Sequence, residues 1–158
     1  NPEILNLSQP TLGLCYGHQL MAKHFGGSVA NTGQGEFGKA SLRQLNPSPL
    51  WKDVADNSQV WMSHQDSVTD LPRDFEIIAK TDSCPSAALQ HQQKPIYTLQ
   101  CQPEVKDTLC GSEILANFAE SNGLKYVIFR YFNVRQSFPL YVLGIRFRLC
   151  LKYLATQF

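Results

Sequence analysis

Short apolar runs separated by polar turns set the rhythm of residues 1–123. Thr11-Leu12-Gly13-Leu14, bounded by Pro10, is too short for a helix and suits a buried strand. From His18 to Phe25 the period changes: Leu20, Met21, His24 and Phe25 fall at i, i+1, i+4 and i+5, which predicts a helix, and Gly26-Gly27 supplies its stop. Cys15 therefore falls where a buried strand turns sharply into a helix, with Gly13 and Gly17 two positions to either side. This is the layout of a nucleophile elbow, in which small neighbours let the chain turn tightly under a reactive side chain.

Further along, 38–45 and 58–62 read as strands, separated by the turn-rich Asn46-Pro47-Ser48-Pro49. A third run, 75–80, is entered through Leu71-Pro72-Arg73-Asp74. Residues 87–91 and 96–100 are placed to pair as a hairpin around Gln92-Gln93-Lys94-Pro95. From Gly111 to Ser121, Ile114, Leu115 and Phe118 share one face of an amphipathic helix. A helix-flanked sheet with a β-rich insertion is an α/β class.

Charge divides the chain. Residues 1–123 hold all 13 Asp+Glu and 8 Lys+Arg, a net charge of −5, whereas 124–158 hold 6 basic residues, no acid and 9 of the 17 aromatics. The boundary is placed at Gly123, with a domain over 1–123 and a basic, aromatic-rich tail over 124–158 that reads as an extension foreign to the domain's frame. The overall charge of +1 gives no basis for nucleic-acid binding. The tail's longest uncharged stretch, 136–145, is too short to cross a bilayer as a helix. Five cysteines without a CxxC pair predict neither a disulfide framework nor a metal site, and a reducing, cytoplasmic setting follows. Among the histidines, His18 and His24 are expected to be packing or surface residues, and His91 to face solvent.

Three blocks carry more than a fold class: Gly13-Leu14-Cys15-Tyr16-Gly17-His18-Gln19-Leu20; Trp61-Met62-Ser63-His64-Gln65-Asp66-Ser67-Val68-Thr69; and Gln102-Pro103-Glu104-Val105, followed by the helix that begins at Gly111. Together they resemble a class I (triad-type) glutamine amidotransferase domain of the GMP synthetase type, a likeness that Cys84-Pro85-Ser86-Ala87-Ala88 strengthens. The resemblance implies a doubly wound, flavodoxin-like sheet, here incomplete at its N-terminus. It also implies release of ammonia from glutamine for amination of XMP to GMP. Acyl transfer of this kind needs a nucleophile, a base and a group that orients the base. By resemblance the nucleophile is Cys15, its thiolate favoured by the helix N-terminus beneath it. The Tyr16 amide is one oxyanion donor, Gln19 contacts the substrate glutamine, and Glu104 is the orienting acid.

At the remaining position the sequence departs from the family pattern. A His is expected two residues before the acid, and Gln102 stands there. A carboxamide neither takes the thiol proton nor protonates departing ammonia, so turnover is expected to be impaired. No phosphate-binding loop occurs in the chain. ATP and magnesium therefore belong to a separate ATP-pyrophosphatase domain or subunit, the partner that the resemblance implies, and no cofactor is expected here. Two rival readings stay open: a non-catalytic amidotransferase-like binding or scaffold remnant, and another branch of the class I amidotransferases.

Overall fold

The computed structural model describes residues 9–124. Its elements in chain order are β1 (Thr11–Leu14), α1 (Tyr16–His24), β2 (Ser28–Gln44), β3 (Ser58–Asp70), β4 (Phe75–Lys80), β5 (Ala88–His91), β6 (Ile96–Leu99) and α2 (Gly111–Ser121), with a 3-10 turn at Pro49–Trp51 between β2 and β3. The strands form one six-stranded sheet in the order β1-β6-β5-β4-β2-β3. Only β1 and β6 run parallel; the β6–β5, β5–β4, β4–β2 and β2–β3 pairs are antiparallel.

The side-chain alternation of β6 shows how the helices are placed. Tyr97 and Leu99 enter a core with Leu12 and Leu14 of β1 and Ile114 and Phe118 of α2. Ile96 joins Met21 of α1, Leu89 of β5 and Phe75 of β4 in a second cluster, while Thr98 meets His18 of α1. The two helices thus cover opposite faces of the parallel pair, as the doubly wound reading requires.

The expected strands are present, but two are longer than their apolar content implies. β2 begins at Ser28 rather than Gly38, and β3 continues to Asp70 rather than ending at Met62. The added halves pair with each other as a two-stranded ribbon, broken by a register shift between Asn31 and Glu36. The ribbon half of β2 is mostly exposed, so a backbone ladder and not a buried stripe defines it. His91 departs from expectation: it is buried, between the rings of Phe25 and Phe75. Its Nδ1 accepts the amides of Gln93 (3.0 Å) and Lys94 (3.2 Å), so the ring closes the β5–β6 turn from within.

α2 ends in a C-terminal hydrogen-bonding cap. Gly123 takes a φ of +64°, its amide donates to Glu120, and the amide of Leu124 donates to Ala119; Leu124 then packs on the core. The tail beyond it, expected to be foreign to the domain, lies outside the described residues. No helix among the described residues is long and apolar enough to cross a membrane.

At its other end α2 presses on the segment after β6. A Cβ added at Gly111 would collide with the Pro103 carbonyl, so glycine is required for close approach of backbone to backbone. Gly111→Ala is expected to lower stability by about 1–3 kcal/mol through this overpacking, measured as a lower urea midpoint with an unchanged slope.

Candidate active site

Cys15 joins β1 to α1. Its amide donates to the Leu99 carbonyl at 2.7 Å, prolonging the β1–β6 pairing by one residue. The backbone then turns through φ 50°, ψ −103°, a conformation that non-glycine residues rarely occupy and one that costs about 1–3 kcal/mol. The turn is tight enough that a Cβ on Gly13 would stand 2.9 Å from the Gly17 carbonyl oxygen and 2.5 Å from Met21 Sδ. The elbow expected from sequence is present, and the glycines have the expected role. Tyr16 opens α1 and is largely exposed, and an amide in the first helical turn lacks an intrahelical carbonyl.

Around the buried Cys15 sulfur three groups converge. The thiol donates to the Ser63 carbonyl of β3 at 3.6 Å. Gln100 Nε2 and Gln102 Nε2 each donate to the sulfur at 3.8 Å. Gln102 is itself buried and its backbone is clamped on both sides: its amide donates to the Trp61 carbonyl at 3.0 Å, and its carbonyl accepts the Thr108 hydroxyl at 2.6 Å. Thr108 Oγ1 also accepts the Trp61 amide at 2.9 Å. Glu104, on the same segment, is exposed, and its charge acts on the buried Cys101 thiol, which burial first and then Cys110 and Glu104 hold well above the ordinary thiol range. The structure thus brings Cys15 and Gln102 together, and places Glu104 at the surface.

Gln19 Nε2 donates to the Asp66 carbonyl at 2.7 Å and to Gln100 Oε1 at 3.1 Å. Gln100 and Ser63 were not singled out from sequence. A signal for Gln100 was nonetheless present: Thr98, Gln100 and Gln102 alternate along a buried strand and its extension, and in a period of two they face one side. His18 Nδ1 meets Thr98 Oγ1 at 2.7 Å, Gln100 meets the sulfur, and so does Gln102.

Beneath the site lies a second polar group. Glu36, His64 and Cys84 bring a carboxylate oxygen, a ring nitrogen and a sulfur within 4.8 Å of one another, a donor set from which the sequence spacing predicted no metal. The carboxylate accepts Thr81 Oγ1 at 2.8 Å. Burial, and then the Glu36 charge, push the Cys84 thiol up to about 11. His18 is fully buried and its pKa falls to about 3, first through desolvation and then through the charge of His64, partly offset by the Ser86 backbone.

Residues 1–121 match the family described as Glutamine amidotransferase class-I. The GMP synthase [glutamine-hydrolyzing] of Campylobacter hominis is 47% identical over 120 residues, covering 76% of this chain and 24% of the relative. That of Nostoc sp. is 47% identical over 118 residues, covering 75% and 22%. The chain thus spans about a quarter of the length of these curated relatives. Among solved structures, a putative GMP synthase subunit from Thermoplasma acidophilum superposes with a TM-score of 0.72 at 33% identity, over 76% of this chain and 60% of that one. A glutamine amidotransferase from Thermotoga maritima does so with a TM-score of 0.60 at 25% identity, over 75% and 49%.

The buried groups fix a pH range of stability. His18 titrates below its ordinary 6.5 when folded, so between pH 6.5 and about 3 the unfolded chain binds more protons and stability falls with pH. Cys84 titrates above its ordinary 9.0 when folded, so stability also falls as pH rises beyond 9.0 towards about 11. Urea unfolding is expected to be flat between these limits. On the acid side it should steepen by about 1 kcal/mol per pH unit for one buried His, and His18→Gln should remove part of that acid slope.

Proposed function

This chain belongs to the class I glutamine amidotransferase family, and we propose that it is the amidotransferase part of a GMP-synthase-type enzyme. On this reading glutamine binds over Cys15 beside Gln19. An ATP-using synthetase domain or subunit takes the ammonia and aminates XMP to GMP. The observation that carries the reading is the elbow itself: a buried thiol in a strained left-handed conformation at a helix start, with Gln100 and Gln102 converging on its sulfur. Cys15, Cys84, Cys101 and Cys110, the cysteines among the described residues, are buried thiols, and a reducing, cytoplasmic setting suits them.

In the reaction, the Cys15 sulfur attacks the carboxamide carbon of glutamine. The tetrahedral oxyanion rests on backbone amides at the helix start, Tyr16 among them. Collapse breaks the carbon–nitrogen bond and releases ammonia, leaving a thioester, and water then hydrolyses the thioester to glutamate. Two steps need a proton carrier: removal of the thiol proton and protonation of the leaving nitrogen.

Gln102 occupies the place where that carrier is expected and supplies N–H donors instead. A carboxamide does not exchange protons near neutral pH, so the site retains its geometry and loses acid–base assistance, which is typically worth about 10²–10⁴-fold. This same observation favours a second reading, a glutamine-binding module with little turnover. Both readings keep Cys15 as the reactive thiol; they differ in rate.

Two measurements test this. Cys15 is expected to be the thiol labelled by a diazo-ketone analogue of glutamine, located by peptide mass spectrometry; label on Cys84 or Cys101 in preference would sink the assignment. Gln102→His is expected to raise glutamine hydrolysis by at least ~10²-fold over the parent chain. A variant no faster than its parent would place the proton carrier elsewhere.

A further inference from the structure

Resting on the reading of Cys15 and Gln19 as a glutamine site, we propose that His64 is a positioning residue for that site, orienting Gln19 through the Asp66 carbonyl. The Asp66 carbonyl oxygen is shared. It accepts Gln19 Nε2 at 2.7 Å from one side and His64 Nδ1 at 2.9 Å from the other. A carbonyl only accepts, so Nδ1 of His64 carries a hydrogen and donates it to the Asp66 carbonyl.

The ring is held from behind. His64 Nε2 stands 3.4 Å from Glu36 Oε2, and this carboxylate is in turn fixed by the Thr81 hydroxyl, which accepts the Cys84 amide at 3.0 Å. The ring is thus lodged between the Asp66 carbonyl on one side and the Glu36 carboxylate on the other. The His64 side chain is 2% exposed and that of Glu36 12%. Water therefore has little room to replace either contact, and the geometry is set by the protein.

At the other end of the relay the consequence is specific. With both Nε2 hydrogens committed to Asp66 and Gln100, the Gln19 carboxamide has one orientation and one remaining acceptor, Oε1. Gln100, held by that contact, directs its own Nε2 to the Cys15 sulfur. His64 makes its hydrogen bonds to Asp66 and Glu36 rather than to the sulfur. Its effect reaches the sulfur through one carbonyl and two carboxamides, which ties the β2–β3 ribbon to the orientation of the glutamine pocket.

The test compares His64→Leu, which removes the donor, with His64→Asn, whose side-chain amide keeps a donor at the Nδ1 position. Two labels are applied to the full chain: the glutamine-like diazo-ketone, and iodoacetamide, which reports the thiol without glutamine recognition. His64→Leu is expected to slow diazo-ketone labelling of Cys15 at least ~10-fold, with iodoacetamide labelling within ~2-fold of the parent and His64→Asn within ~3-fold for both. Equal diazo-ketone rates in His64→Leu and parent would overturn the proposal, as would a parallel fall with iodoacetamide. The Gln19 side-chain amide resonance, assigned through Gln19→Ala, reads the same contact without any ligand. It should move towards free-carboxamide values in His64→Leu and stay in place in His64→Asn. If the parent chain takes iodoacetamide and not the diazo-ketone, the glutamine reading fails, and the resonance still decides whether His64 orients Gln19. Should His64→Leu not fold, Glu36→Leu, which leaves the ring unheld, is expected to shift both readouts in the same direction; no shift in that variant would count against the proposal.

Discussion

A hydroxyl bridging the two ends of the sheet sits at the centre of its closure. Thr108 Oγ1 accepts the Trp61 amide and donates to the Gln102 carbonyl, joining the outer edge of β3 to the segment that follows β6. Two flanking contacts extend the seam: the Leu109 amide to the Gln59 carbonyl, and Gln59 Nε2 to the Asp107 carbonyl. β3 and β1 stand at opposite ends of the strand order, yet the sheet curls until the 102–109 segment covers the β3 edge. That curl sets Ser63 of β3 beside a thiol carried by β1, where Gln102 of the segment after β6 already converges on it. Gln102 follows β6, the neighbour of β1, but without closure Ser63 would lie far from the thiol, because sheet neighbours stand about 4.8 Å apart and β1 and β3 are separated by four intervening strands.

Closure also accounts for how the elbow persists. A left-handed, non-glycine turn stays only where its surroundings over-determine it. Here the Cys15 amide is tied to Leu99 and its carbonyl to the Gln19 amide, while Gly13 lies against Gly17 with no room for a side chain. Both helices brace the arrangement from opposite faces. α1 does so through Met21 on Ile96 and Leu89, and α2 through Ile114 and Phe118 on the other face. The close approach of Gly111 to Pro103 adds a direct contact between α2 and the Gln102 segment. Site geometry is thus a property of the whole sheet rather than of one loop.

What the sequence disclosed follows from where burial leaves a pattern. β4 and α2 match their expected bounds at Phe75–Lys80 and Gly111–Ser121 because their apolar spacing is regular. The ribbon halves of β2 and β3 were invisible since Ser63-His64-Gln65-Asp66-Ser67 and the 28–37 stretch offer backbone pairing and little apolar alternation. Cys15 was legible from its flanking glycines, and Gln102 from its place beside Glu104 in the family block. Ser63 and Thr108 were not, since each acts through a contact made only when the sheet curls; Gln100 was legible only through the period of two it shares with Thr98 and Gln102. His91 misled because a polar residue at a strand end ordinarily meets water, whereas here two turn amides satisfy its nitrogen and two aromatic rings enclose it.

Gln102 shows why the fold tolerates a residue that the chemistry does not. A buried side chain must be neutral or paired, and its hydrogen-bonding groups must find partners. A carboxamide is neutral at every pH, and its Nε2 finds the Cys15 sulfur while the backbone on either side of the chain is already clamped by Trp61 and Thr108. Nothing in packing or hydrogen bonding therefore selects for an imidazole at this position. The requirement comes only from proton transfer, which needs a group that changes its proton count near neutral pH. Folding and turnover place separable demands on the same site: the elbow and the curl satisfy the first, and a titratable side chain at one position is what the second adds.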